Sequence, residues 1–356
     1  MALIMKPKIT VLTCVYNGMP FLKEAIDSVL NQTYSDFEYL IIDDASTDRN
    51  VAKFIESYDD ERIRFIKNEE NLGVSKTFNK ALSLINTQYV VRIDQDDVNL
   101  PDRIESQITY LENNNNIDIV CSWEHIIDSN GNKLGQWKRS LDNYGEFLGY
   151  VLIGICPIWH PSIAFRTKSM VDAGGFKVEY TRAEDFEVTA RFALKRYGAA
   201  IVPKYLLLQR QHSDSQSVEF NVEQEQMTRR IHIEAIEFFS SHVDTKLVSD
   251  YLLLNINRGS IKFNKEYLKR AYNAMDELFD NIAKRQKLSI DELSSLKKVI
   301  YRRSGFGIKY TPIITKLPTL IFYIVFYILS PLQVGNAQEI VSKIYHRFMS
   351  YLNIFK

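Results

Sequence analysis

The stretch Tyr89-Val90-Val91-Arg92-Ile93-Asp94-Gln95-Asp96-Asp97 decides the fold. A short β-branched run ends abruptly in Asp94, Asp96 and Asp97. Strand formers at that density read as a buried strand, and α/β folds place their ligands beyond the ends of such strands. Crowded acids repel one another unless a cation or strong donors neutralise them. Oxygen ligands on a short turn suit Mg²⁺ or Mn²⁺ rather than zinc. Taken alone, the stretch suggests a divalent cation held beside a phosphate.

Upstream, strand-like and helix-like segments alternate from Lys8. Ile9 to Val15 reads as a strand, and Phe21 to Leu30 as an amphipathic helix with Leu22, Ala25, Ile26, Val29 and Leu30 apolar. Phe37 to Ile42 is a second strand, and Asp48 can cap a helix running to Tyr58. Ile63 to Ile66 is a third strand, followed by a turn from Asn68 to Gly73 and a helix from Val74 to Ile85. Downstream of the acids, Pro101 is expected in the first turn of a helix from Asp102 to Leu111. Repeated β-α-β units of this kind give a mostly parallel sheet with helices on both faces.

Past Ile117 the pattern changes. Ile117 to Trp123, Glu124 to Ile127 and Pro161 to Arg166 look like strands, while Tyr144 to Tyr150 and Asp185 to Tyr197 look helical. From about Asn221 the chain is helical and rich in Glu, Lys and Leu through Arg303, which divides it into an α/β part, 1–220, and a helical C-terminal part, 221–356. Leu317 to Leu332 is apolar and aromatic, bracketed by Pro318 and Pro331 and preceded by Lys297, Lys298, Arg302, Arg303, Lys309 and Lys316. It falls short of the ~20 residues a spanning helix needs. A segment over about 312–332 lying on an anionic membrane face and a buried C-terminal helix are both compatible with this composition.

The 356 residues carry 44 basic and 44 acidic side chains, so no global field favours nucleic acid. A hydrophobic content of 46% excludes a disordered chain. Cys14, Cys121 and Cys156 are scattered without metal-ligand spacing, which fits free thiols in a reducing cytoplasm. No signal-peptide pattern surrounds Lys6 and Lys8, and the expectation is a cytoplasmic protein, peripheral at the inner face of the membrane.

Ile9-Thr10-Val11-Leu12-Thr13-Cys14-Val15-Tyr16-Asn17-Gly18, Ser28-Val29-Leu30-Asn31-Gln32-Thr33, Asp43-Asp44-Ala45-Ser46-Thr47-Asp48 and Asp94-Gln95-Asp96-Asp97 occur in that order. Together they resemble the family 2 glycosyltransferases over about residues 8–215. The resemblance implies an α/β GT-A fold and an inverting, metal-dependent hexosyltransferase. Its donor would be a nucleoside diphosphate sugar, UDP- or dTDP-linked, and its acceptor a lipid-linked or surface-polysaccharide glycan. Processive synthases of the superfamily carry Gln-x-x-Arg-Trp and several membrane helices; Gln209-Arg210-Gln211-His212 is not that motif, so addition of a single sugar is implied.

For the donor, the first strand's end, with Thr13, Val15, Tyr16 and Asn17, can present backbone and the Tyr16 side chain to the nucleoside, and Asp44 is an acceptor for a base imide or ribose hydroxyl. Turn formation and capping are the structural alternative for Asp43 and Asp44. Asn71 and Lys76 flank a helix start able to assist the nucleotide or simply to cap. The resemblance makes Asp96 the ligand of Mn²⁺ or Mg²⁺, places Asp94 on the ribose or metal-bound water, and leaves Asp97 in support. It makes Asp185 the general base and Glu184 its neighbour that orients the acceptor, although acids there also stabilise a helix start. His160, Gly174 and Gly175 would border the sugar and acceptor pocket, and His212 would complete the metal shell or meet the diphosphate. A sugar nucleotidyltransferase lacks support because Thr13 to Gly18 has no Gly-rich loop or basic residue, and no Gly-x-Gly-x-x-Gly points to a dehydrogenase. A non-catalytic GT-A scaffold is disfavoured by the intact Asp94, Asp96 and Asp185.

Overall fold

The computed structural model describes residues 7–212, 222–240, 243–252 and 265–303. The apolar segment at 317–332 lies outside these residues.

Four strands, β1 (Ile9–Val15), β2 (Phe37–Asp43), β3 (Ile63–Lys67) and β4 (Tyr89–Arg92), form the parallel half of the sheet in the order β3-β2-β1-β4. Between them run α1 (Leu22–Leu30), α2 (Asn50–Glu56) and α3 (Val74–Leu84). Alternation along each strand divides the core. Val11, Tyr39 and Val91 join Ile26 of α1, Ile55 of α2 and Ile108 of α4 (Arg103–Asn113) in one buried cluster. Leu12, Leu40 and Val90, of opposite parity, are equally buried on the face that α3 covers. A strand buried on both faces needs apolar side chains at nearly every position, as the opening run has.

Beyond β4 the sheet becomes mixed. Its order continues β8 (Ala164–Arg166), β6 (Ile119–Ile127), β9 (Ala199–Arg210) and β5 (Val98–Asn99), with β7 (Lys133–Trp137) paired to β6. Strand β8 runs antiparallel to both β4 and β6, while β6 and β9 are parallel. The segment read as a strand from Pro161 is a 3₁₀ turn (His160–Ser162) before the shorter β8. Strand β9 is absent from the sequence reading because Pro203 argues against a central strand. The ladder accommodates it by a register shift: Ser122 pairs with Val202, but Trp123 pairs with Tyr205. Pro101 precedes helix α4 rather than entering it, Asp102 being the N-cap.

Helices α5 (Tyr144–Leu152), α6 (Thr167–Ala173) and α7 (Glu184–Leu194) flank this half. The expected C-terminal helices are α8 (Val222–Phe239), α9 (Thr245–Leu252), α10 (Lys265–Gln286) and α11 (Ile290–Arg303), and α11 packs along α5. That approach depends on missing side chains: a Cβ on Gly145 would lie 1.8 Å from the Glu292 carbonyl oxygen, and one on Gly149 3.0 Å from Val299. Among the described residues no helix is long and apolar enough to cross a membrane.

Candidate active site

The chain moves outward from β1 through β2 to β3, then crosses back to lay β4 on the other side of β1. Such a reversal opens a crevice beyond the carboxyl ends of the strands. The Val15 carbonyl accepts the Asp44 N–H (2.7 Å), so the ends of β1 and β2 are tied together. Asn17 has positive φ (52°), and its Oδ1 accepts the backbone N–H of Thr47 (2.9 Å) and Asp48 (3.2 Å). The Gln95 amide bridges the same turn to the acidic motif: Oε1 accepts the Tyr16 N–H (2.8 Å) and Nε2 donates to the Tyr16 carbonyl (3.1 Å). Tyr16 is left 42% exposed, a ring facing solvent at the crevice. Thr13 and Val15 are inside the sheet, Thr13 with its hydroxyl on the Tyr39 hydroxyl (3.1 Å), so neither side chain reaches the crevice.

Asp44 is buried and heavily bonded. Its Oδ1 accepts from Asn68 Nδ2 (2.7 Å) and the Leu72 N–H (2.9 Å), and its Oδ2 from the Gly73 N–H (2.9 Å). Burial pushes its carboxyl up, yet these donors together hold it below the usual carboxylate range. Asn71 closes the same turn by accepting the Gly73 N–H (3.1 Å), and Lys76 stands exposed in the first turn of α3. Asp43 is fully buried, with Oδ1 on the Ser46 N–H (2.8 Å) and Lys67 Nζ 3.7 Å from Oδ2.

The motif after β4 is spread over three different environments. Asp94 Oδ1 accepts from Arg92 Nε (3.0 Å) and Nη2 (2.7 Å). Asp96 Oδ2 faces His212 Nε2 at 2.9 Å, which brings together residues 116 positions apart. Burial and the neighbouring Asp94 charge push the Asp96 carboxyl up, against the pull of His212. Asp97 is buried, accepts the Arg210 N–H (2.8 Å), and is pushed well up by burial and by the two other acids. Arg210 itself donates to the Asp96 carbonyl (3.0 Å), pairs with Glu24 and lies 4.6 Å over the Phe21 ring. The end of β9 therefore clamps the acidic turn from the far side of the sheet.

Behind the acids, Arg103 is completely buried and donates to Asn99, Gln107 and the Arg92 carbonyl. Burial lowers it to about 10, against the pull of Glu124, Asp97 and Asp94. Glu124 is buried, and burial raises it to about 8 against the pull of Ser162 and Arg103.

Glu184, Asp185 and Glu187 share the first turn of α7. Glu187 is taken by Lys177 (3.3 Å) and Arg191. Glu184 and Asp185 have no ion pair among the described residues; Asp185 Oδ1 accepts the Phe186 N–H (2.7 Å). Burial pushes both carboxyls above the usual range, and the Arg92 cation opposes the rise in each. Arg92 is thus the charge shared by the two acidic edges. His160 is buried beside them with Nε2 3.2 Å from Thr189 Oγ1, and burial holds its ring well below the ordinary histidine value, neutral. The Gly174-Gly175 pair ends α6 with positive φ (99° and 63°), its carbonyl side bound by Arg191. A Cβ on Gly175 would lie 2.3 Å from Asn79 Oδ1, which accepts the Phe176 N–H (2.8 Å), so this turn fastens α6 to α3.

The parts played by Arg92, Gln95, Arg210, Arg103 and Glu124 escaped the sequence reading. Arg92 alone carried a usable signal, a cation closing an otherwise apolar strand two positions before Asp94. Among the described residues no group of three or more His, Cys, Asp or Glu side chains converges as a metal site. Asp96 and His212 supply one oxygen and one nitrogen, and the upward push on Asp96 marks a place short of positive charge. Two protein ligands suffice where substrate phosphates and water complete the shell.

The Glycosyl transferase family 2 model matches residues 10–173. An uncharacterized glycosyltransferase of Methanocaldococcus jannaschii is 34% identical over 205 residues, 57% of this chain and 70% of that protein. One of Haemophilus influenzae is 31% identical over 291 residues, 76% of this chain and 87% of the relative. The crystal structure of S. aureus TarS 1–349 in complex with UDP-GlcNAc superposes with a TM-score of 0.55 at 18% identity, covering 84% of this chain and 92% of that one. The α/β fold with its curled, mostly parallel sheet is accordingly the GT-A fold.

Proposed function

The chain belongs to glycosyl transferase family 2, and from that premise we propose that it moves one sugar from a nucleoside diphosphate sugar to a glycan hydroxyl with inversion. The observation that carries this reading is the meeting of two acidic edges across Arg92: Asp94 and Asp96 with His212 on one side, Glu184 and Asp185 on the other. Donor chemistry needs a cation and donors at a diphosphate; acceptor chemistry needs a base a few ångströms from the anomeric carbon. TarS, of the same fold, was crystallised with UDP-GlcNAc and with UDP, which favours a uridine diphosphate sugar here.

In this assignment Tyr16 offers its exposed ring to the base, and Asn17 holds the 46–48 loop that borders the nucleoside. Asp44 acts from beneath, shaping the 68–73 turn so that Lys76 and the first turn of α3 face the nucleotide. Asp94 takes the ribose. Asp96 and His212 would hold Mn²⁺ or Mg²⁺, which when bound stabilises charge on the departing diphosphate. The acceptor oxygen attacks the anomeric carbon as the bond to the diphosphate breaks, and its proton passes to the Asp185 oxygen not engaged by Phe186. Glu184 orients the acceptor, with neutral His160 behind it and the Gly174-Gly175 turn limiting the pocket. We assign the GT-A domain to 1–220 and a helical C-terminal region to 221–356, with a lipid-linked or surface-polysaccharide acceptor met at the cytoplasmic membrane face.

The test is a screen of nucleotide sugars for Mn²⁺-dependent hydrolysis and thermal stabilisation, repeated on Asp96→Ala. The substitution is expected to lower metal-dependent turnover by about 10²–10³-fold, the range for removing one electrostatic stabiliser. Undiminished turnover in a folded variant would overturn the metal assignment.

A further inference from the structure

Two of the chain's three tryptophans, Trp137 of β7 and Trp159 before the 3₁₀ turn, stack with ring centroids 5.3 Å apart and 26° between planes. Both remain partly exposed. Trp159 donates through Nε1 to Gln209 (3.3 Å), the residue before Arg210 in the acidic clamp. On its other side it adjoins His160, bound to Thr189, one helical turn along α7 from Asp185. The indole pair therefore stands between the Asp96 side of the crevice and the Asp185 side.

Arg139 lies against the same surface. Its guanidinium carbon is 4.8 Å from the Tyr150 ring centroid and 5.8 Å from that of Trp137. Among the described residues its side chain joins no ion pair and donates no hydrogen bond, and Nη1 is buried without a partner. A buried unmet N–H on a permanent cation costs free energy that an anion would return. Cys156, bonded to Thr189 Oγ1 (3.4 Å), lies in the field of both Asp185 and Arg139. The acid across the ribbon, Glu124 opposite Trp137, is buried, and burial pushes its carboxyl up, which weakens its repulsion of an incoming anion. Aromatic faces take the apolar face of a sugar ring, and a guanidinium takes a phosphate or carboxylate in a planar fork.

We propose that Trp137, Trp159 and Arg139 form the acceptor subsite, and that the acceptor carries a phosphate or carboxylate beside the sugar ring presented to Asp185. The inference rests on the transferase reading given above.

The two indoles make the test direct. Trp123 donates through Nε1 to the Arg139 carbonyl (2.8 Å) and is therefore kept, and Trp137→Phe and Trp159→Phe variants assign the fluorescence change to the stacked pair. The full chain and these two variants are titrated with a neutral methyl glycoside, its 6-phosphate, its 6-uronate and inorganic phosphate. The charged glycosides are expected to quench at concentrations at least tenfold below the neutral one, and Arg139→Gln to erase the difference. Quenching by the phosphorylated compound alone assigns a phosphoester acceptor; quenching by both assigns acidic sugars in general. Equal response to neutral and charged glycosides, or to inorganic phosphate and the phosphorylated glycoside, overturns the subsite. If Arg139→Gln does not fold, added salt on the parent chain replaces it: the charged preference must shrink, and a salt-indifferent preference overturns the proposal. Thermal stabilisation by UDP-sugars and Mn²⁺, read on the same samples, separates failure of the transferase reading from failure of the subsite.

Discussion

The turn after β2 and the start of α7 are both acid-rich edges, and they are built in opposite ways. At the first, Asp44 is buried but receives Asn68, Leu72 and Gly73 donors, and its carboxyl is held low. At the second, Asp185 is half-buried and accepts the Phe186 N–H and its own, and burial pushes its carboxyl up. Burial opposes the charge at both edges, and at Asp44 the donors outweigh it where at Asp185 they do not. A carboxylate well supplied with donors keeps its charge to lower pH; one supplied with fewer takes a proton more readily.

Replacing Asp185 puts the largest strain on this contrast. Asp185→Asn is expected to lower sugar transfer by about 10²–10⁴-fold, the usual worth of a general base, with thermal unfolding little changed. Equal loss of turnover in Asp44→Asn, at unaltered stability, would break the comparison. Next in size, Asp44→Asn should cost about 1–3 kcal/mol of stability, because the Leu72 or Gly73 N–H loses an acceptor and the Asn68 amide meets another donor. The sign with pH sharpens it: a carboxyl held low when folded contributes stability above its unfolded value of about 3.9 and loses it as pH falls through the folded value. The gap between parent and variant in urea should therefore close on acidification, and a gap constant with pH would deny Asp44 its ionised role. The smallest effect lies in the rate profile. A base must be ionised, and since Asp185 is raised, the acid limb of kcat/KM should lie above the ordinary carboxylate range. A limb at the ordinary carboxylate value would remove the difference between the two edges.

Much of the parallel half was legible because it needs only local rules. Strands β1 and β2 start where their apolar runs start, and α1 buries Leu22, Ala25, Ile26 and Val29 as its periodicity requires. The mixed half was less so. Pro203 hides β9, whose ladder tolerates it by skipping residues, and β5 spans two residues whose pairing comes wholly from β9. At the site the acids could be named from their order along the chain. Their cations could not: Arg210 reaches Asp96 and Asp97 across more than a hundred positions, and Arg103 reads as a surface residue of an amphipathic helix. All three cysteines are free, and burial pushes Cys14 and Cys156 up to about 12, inert as thiols.

The sequence by itself determined where the sheet's acidic turns fall, which helices cover it and which family motifs run in order, since periodicity and turn chemistry act over a few residues. The tertiary structure alone decided which acids are spent and which are left over. It set Asp44 among backbone donors, His212 against Asp96 and Arg92 between two carboxylate edges, and among the described residues it left Arg139 Nη1 without a partner beside an aromatic surface. Charge state and donor count depend on what the fold brings within about 3 Å, the reach of a hydrogen bond, and no spacing along one chain encodes that distance.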